Sequence, residues 1–196
     1  MKFDPQKHHR RSIRLKNYDY SQKGAYYVTT NVQNRECLFG VIVNNEMVLS
    51  ESGQMIDEQW SALPERFPNI ELDLYQIMPN QFHGILMIVG AAFMAAPSLV
   101  VAHDMEMNSI QENATDTRPA PTLGDIIGAF KSITTNEYVK GVEDKNWPRF
   151  DKRLWQRNYY EHIIRDEADL NRIRNYIQSN PANWDKDEEN PNFKKQ

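Results

Sequence analysis

The spacing of apolar positions changes several times along the chain, and each change predicts an element. GAYYVTTNVQN (24–34) is rich in β-branched and aromatic residues and bounded by glycine and asparagine, which predicts a strand. GVIVNNEMVLS (40–50) predicts a hairpin turning on Asn44-Asn45, because asparagine tolerates positive φ. Over 51–67 the period lengthens: Ile56, Trp60, Leu63 and Phe67 share one helical face, with Pro64 disturbing the end. LDLYQIM (72–78) and GILMIVG (84–90) predict two adjacent strands joined across PNQFH. Thr122 is placed to cap a helix whose stripe is Leu123, Ile126, Ile127, Phe130 and Ile133. LWQRNYYEHIIR (154–165) predicts an extended segment ending in a strand. DEADLNRIRNYIQSN (166–180) predicts a helix stopped by Pro181.

Strand, hairpin, helix, two strands, helix, strand, helix is the order of an α+β fold. It fits a ferredoxin-like antiparallel sheet with helices packed on it. One domain is expected across residues 1–196, with no internal repeat. Residues 91–121 lack a period and hold three prolines, so they read as a mobile insertion.

Composition narrows the class. Apolar residues make up 40% and aromatics 11%, which suits a globular protein and excludes wholesale disorder. Cys37 is the single cysteine, so an internal disulfide is excluded and a reducing compartment is expected. Neither a signal sequence nor an apolar run long enough for a membrane span is visible, so a cytoplasmic protein without a membrane partner is expected.

The net charge of −4 argues against nucleic acid until its distribution is examined. Residues 1–23 hold seven Lys/Arg against two acids, a balance of +5, while WDKDEENP (184–191) is acidic. The chain therefore has a basic N-terminal arm (1–23) and an acidic, polar tail (185–196). In the arm, Arg10, Arg11, Arg14 and Lys16 are candidate phosphate contacts, as is Lys131 on the helix after the insertion.

The stretch YQIMPNQFHGILMIVG carries the chemistry. Gln81 and His83 are two apart, so on a strand they share a face while Phe82 takes the other. Tyr176 and Asn180 are four apart, stacked on one helix face beside the stripe of Leu170, Ile173 and Ile177. Polar strand residues and a helical tyrosine brought together are one way to build phosphoryl-transfer chemistry.

Four pieces of the chain together resemble the single-tyrosine HUH transposases, close to the REP-associated tyrosine transposases. They are RRSIRLKNYDYSQKGAYYVTTNVQNRECLFG, MPNQFHGI, GAFKSITTNEY and LWQRNYYEHIIRDEADLNRIRNYIQSNPANW. They occur in the family's order and cover most of residues 10–184. In that family two histidines flanking a bulky apolar residue bind a divalent ion, Mg²⁺ or Mn²⁺. A third ligand follows the nucleophilic tyrosine by one helical turn. The resemblance thus implies Tyr176 as nucleophile, with His83, Gln81 and Asn180 as metal ligands. Gln81 stands where the family has its first histidine. Tyr159 and Tyr160 compete as nucleophiles by proximity to the motif; their place in an apparent strand favours packing against the core or DNA.

The resemblance further implies a bacterial, metal-dependent DNA strand transferase, nucleoid-associated when bound. It would cleave and rejoin single-stranded hairpin DNA through a 5′-phosphotyrosine and work as a monomer or homodimer. Two alternatives remain open. One is a domesticated DNA-binding protein whose catalysis Gln81 has impaired. The other, an RNA-binding ferredoxin-like module, is disfavoured because the strands lack an RNP-like run of aromatics.

Overall fold

The computed structural model describes Leu15, residues 18–89 and residues 120–193. Arg10, Arg11, Arg14 and Lys16 lie outside the described residues, as do nearly all of 91–121 and the last three residues.

A four-stranded antiparallel sheet organises the fold, in the order β4-β5-β1-β6. Its strands are β1 (Gly24–Asn31), β4 (Ile70–Met78), β5 (Gln81–Ile88) and β6 (Tyr160–Ile164). Helices α1 (Glu51–Ser61), α3 (Leu123–Asp144) and α4 (Glu167–Ser179) intervene or follow. Counting only sheet strands, the order second-third-first-fourth is the split βαβ arrangement of a ferredoxin-like fold. The expected fold class is observed. The hairpin β2 (Gly40–Val43) and β3 (Glu46–Leu49) stands as a separate two-stranded ribbon, turning on Asn44 and Asn45, both at positive φ.

Period-two alternation divides the sheet between two cores. Tyr26, Val28, Phe82 and Leu86 face α1 and α3 in the larger core, with Ile56, Trp60, Ile126 and Phe130. Tyr27, Ile85 and Ile164 face the other way and meet Ile173 and Ile177 of α4. The helix carrying Tyr176 therefore covers the face on which Gln81 and His83 stand, opposite the large core.

Two boundaries differ from the sequence reading, and one matters. The helix over 51–67 breaks at Ala62, one residue before the short helix α2 (Leu63–Arg66), whose second residue is Pro64. More importantly, the joint between β4 and β5 is not PNQFH. Only Pro79 and Asn80 turn, and β5 begins at Gln81, paired with Met78 and Asn31. Tertiary hydrogen bonds make so tight a turn possible: Asn80 is 1% exposed, and its Nδ2 donates to the carbonyls of Arg35 and Glu189. Gln81, Phe82 and His83 are consequently strand residues, all buried.

Helix α4 is fixed by groups its own sequence supplies. Asp166 caps it, accepting from the Asp169 N–H at 2.8 Å. Arg174 grips Asp73 of β4 in a forked pair, Nε to Oδ1 at 3.0 Å and a terminal nitrogen to Oδ2 at 2.5 Å. That pair holds the Asp73 carboxyl below its ordinary value.

Lys131 does something its sequence did not indicate. Its Nζ donates to the carbonyls of Gln156, Arg157 and Asn158 at 2.5, 3.3 and 3.5 Å, and burial lowers its pKa to about 8. The ammonium is thus engaged in holding the irregular segment before β6 to α3.

Candidate active site

Strand register builds the site. His83 lies opposite Thr29 of β1, and Thr29 opposite Tyr160 of β6. One step along, Tyr27 lies between Ile85 and His162. Of these, Tyr27, Thr29, His83, Tyr160 and His162 form the floor of a cleft of about 430 Å³. Arg172, Ile173 and Tyr176 of α4 form one wall, and Asp187 and Glu189 form another. Helix α4 ends at Ser179, and a 3-10 turn (Pro181–Lys186) swings the chain back so that Asp187 faces Gln81.

His83 is the most constrained group. It is 2% exposed, and its ring lies 5.9 Å from that of Tyr176, edge to face. Burial lowers its pKa to about 3, so the imidazole is neutral. Its Nδ1 is 2.8 Å from the Tyr27 hydroxyl and 3.0 Å from Thr29 Oγ1, whereas Nε2 has no partner among the described residues. Thr29 Oγ1 donates to the Tyr27 oxygen at 2.9 Å.

One assignment of protons satisfies all of these contacts. Nδ1–H donates to the two hydroxyl oxygens and Thr29 donates to Tyr27, which leaves the Tyr27 proton for the Tyr176 phenol, whose ring lies 6.2 Å from the Tyr27 ring. Nε2 then carries its lone pair bare, the form in which imidazole ligates a cation. The donated Tyr27 hydrogen bond acts to lower the Tyr176 pKa. Burial, the larger influence, raises it, and so does the Asp187 carboxylate; the net direction is upward.

The remaining residues set the charge. Gln81 Nε2 donates to Asp187 Oδ2 at 2.5 Å. Glu189 is paired with Arg35 at 3.0 Å. At the rim, His162 Nε2 lies 2.7 Å from Asp169 Oδ2, and Arg172 reaches the same carboxylate. Led by the hydrogen bond to His162, these contacts hold Asp169 down at about 2.

Three of the residues singled out from the sequence, Tyr176, His83 and Gln81, therefore line one cleft. Asn180 does not line it; this residue ends α4, 6% exposed, with Nδ2 unpartnered among the described residues. Tyr159 packs against the large core, whereas Tyr160 is 56% exposed and lines the cleft. Sequence reasoning missed Tyr27, Thr29 and Asp187. The alternation of GAYYVTTN carried a signal for the first two, but nothing local marked Asp187. Among the described residues, no three His, Cys, Asp or Glu side chains are grouped to hold a metal ion. A divalent ion would draw on mixed donors, and the buried Nε2 of His83, unpartnered among the described residues, is the observation that fits one.

The neutral state of His83 has a measurable consequence. The unfolded chain protonates this histidine near pH 6.5, but the folded chain does so only near 3. Between those values the unfolded state binds the extra proton, so stability falls as pH falls. With a chelator present, the wild-type chain should lose up to about 1.4 kcal/mol per pH unit more than His83→Gln between pH 6 and 4. Equal slopes in urea titrations of the two proteins would contradict the assignment.

Comparison with known proteins bears on the family and the fold. No protein-family model matches the chain. A Haemophilus influenzae protein, described only as uncharacterized, is 39% identical over 181 residues, spanning 92% of this chain and 93% of its own. Among solved structures, a REP-associated tyrosine transposase bound to a REP hairpin superposes with a TM-score of 0.55 and 16% identity, covering 88% of this chain and 74% of that one. At that identity the likeness concerns the fold. No helix among the described residues is long and apolar enough to cross a membrane. The chain belongs to the same family as the Haemophilus influenzae protein, and its fold is that of the REP-associated tyrosine transposase.

Proposed function

We propose that this protein binds folded single-stranded DNA and cleaves it through Tyr176, as a transposase-type strand transferase. The observation that carries this reading is the cleft in which the Tyr176 ring stands 5.9 Å from a neutral, buried His83. The solved structure with this fold holds a REP hairpin, and a DNA hairpin is the substrate class proposed here.

In the cleavage step the Tyr176 oxygen attacks a backbone phosphorus. The bond from phosphorus to the 3′ oxygen breaks, and the phosphate stays on the tyrosine as a 5′-phosphotyrosine. The departing 3′ oxygen takes up a proton, and the phenol's proton passes to solvent. Rejoining reverses these changes with a second 3′-hydroxyl, so no external energy source is consumed. A phenol is a weak nucleophile at neutral pH, the more so when burial raises its pKa. Tyr27 would counter this: a proton donated from its hydroxyl toward the Tyr176 oxygen acts to lower the phenol's pKa and would stabilise the phenolate as attack develops. Arg172, one helical turn before Tyr176, lines the cleft and would meet the phosphate by exchanging its Asp169 partner. A divalent ion, Mg²⁺ or Mn²⁺, held by His83 and Gln81 would polarise the scissile phosphate.

The test is covalent capture. Incubated with a hairpin oligonucleotide bearing a single-stranded flank and with Mn²⁺, the protein should yield a DNA adduct that survives denaturing electrophoresis. Tyr27→Phe should form it about 100-fold more slowly with unchanged hairpin affinity, comparable to the loss of one aimed donor. A hairpin bound tightly without any adduct would favour the domesticated binding protein, for which Gln81 in place of a histidine is the motivating observation.

A further inference from the structure

Gln81 does not face the cleft alone. Its amide nitrogen is committed to Asp187 Oδ2 at 2.5 Å, which leaves Oε1 as the end that can meet a cation. Asp187 Oδ1 accepts from the Glu189 N–H at 2.8 Å, fixing the carboxylate's orientation. The segment holding it is built: Trp184 is 8% exposed, Asn190 Nδ2 donates to the Trp184 carbonyl at 3.0 Å, and Asn80 binds the Glu189 carbonyl at 2.7 Å. Both carboxylates that line the cleft are acidic side chains of this segment, and they differ. Glu189 is neutralised by Arg35, whereas no lysine or arginine pairs with Asp187 among the described residues. A carboxylate with no such partner, lining the same cleft as a buried histidine whose Nε2 has no partner among the described residues, has the chemistry of a cation site. It is a poor place for a DNA phosphate unless a cation lies between them.

We infer that Asp187 is the carboxylate ligand of a divalent-cation site completed by His83 Nε2 and Gln81 Oε1, in place of the helix residue Asn180. The inference deepens the function proposed above and rests on it for the site's purpose. One imidazole nitrogen with two oxygens suits Mn²⁺ and Mg²⁺. The glutamine is then no mere loss of a histidine: it recruits a carboxylate from eleven residues beyond Tyr176 and supplies an oxygen of its own.

Mn²⁺ binding by the full chain without DNA tests this, with free Mn²⁺ read by electron paramagnetic resonance. The wild type should bind one ion. Asp187→Asn should weaken binding about 100-fold, at the upper end of effects seen on removing groups around a metal. If Asp187→Asn lowers the melting temperature by more than a few degrees, the wild type decides instead. Mn²⁺ should then broaden the side-chain resonances of His83, Gln81 and Asp187 first. A wild type that binds no Mn²⁺ overturns the inference, as does broadening centred elsewhere. So does an Asn180→Ala protein that loses the ion while Asp187→Asn keeps it. Mn²⁺ held through Asp187 with no DNA adduct would leave this site standing and sink the strand transferase. An adduct with Asp187→Asn binding Mn²⁺ normally would do the reverse.

Discussion

Tyr176→Phe should abolish the covalent protein–DNA adduct while leaving hairpin affinity within about twofold. The reason is a division of labour within the cleft. The phenol oxygen is the atom that bonds to phosphorus, and removing it leaves no route to a phosphotyrosine. Its ring, edge-on to His83 at 5.9 Å and to Tyr27 at 6.2 Å, is retained by phenylalanine, so packing changes little. Tyr176 is 49% exposed, which limits any stability effect. Tyr160, also lining the cleft, is the internal control: Tyr160→Phe should still form the adduct. An adduct that persists in Tyr176→Phe and disappears in Tyr160→Phe would transfer the nucleophile to β6. Mass spectrometry of the DNA-linked peptide separates the two outcomes.

The largest stability effect is expected one residue from the site. Phe82 is fully buried, with its ring 4.5 Å from Trp60, 5.2 Å from Phe130 and 6.0 Å from Tyr75. Gly84 allows this packing, because a Cβ there would come within 2.8 Å of both the Trp60 and Phe82 rings. Truncating Phe82 to alanine removes the centre of an aromatic cluster that cannot close over the gap. The cost should be about 3–5 kcal/mol. At this chain length that corresponds to a melting temperature lower by roughly 10 °C or more. Phe82→Leu should recover most of the loss. A denaturant midpoint for Phe82→Ala close to that of wild type would show that the sheet does not depend on this cluster. The same strand thus anchors the core with one residue and presents chemistry with its two neighbours, so their geometry depends on the anchor.

Much of this was readable along the chain, because it depends on local period. Alternation on β5 separates Gln81 and His83 from Phe82 whatever the strand packs against. The stripe of Leu170, Ile173 and Ile177 fixes which side of α4 is buried, and Tyr176 borders it. Sequence therefore determined the fold class and the meeting of Tyr176 with His83 and Gln81.

What it left open was set by contacts between distant segments. The turn reduced to Pro79-Asn80 because Asn80 binds a carbonyl 109 residues away, a partner that no local propensity encodes. Lys131 reads from sequence as a candidate phosphate contact, and only the fold brings the carbonyls of 156–158 around it. Tyr27 and Thr29 alternate visibly, yet only the pairing of β1 with β5 places their hydroxyls against His83 Nδ1. Asp187 sits in a stretch whose composition reads as a solvated tail. Its carboxylate enters the cleft because the turn after α4 reverses the chain and Trp184 anchors it. Period and propensity act over a few residues, whereas a binding site depends on which segments the tertiary fold brings within a few ångströms.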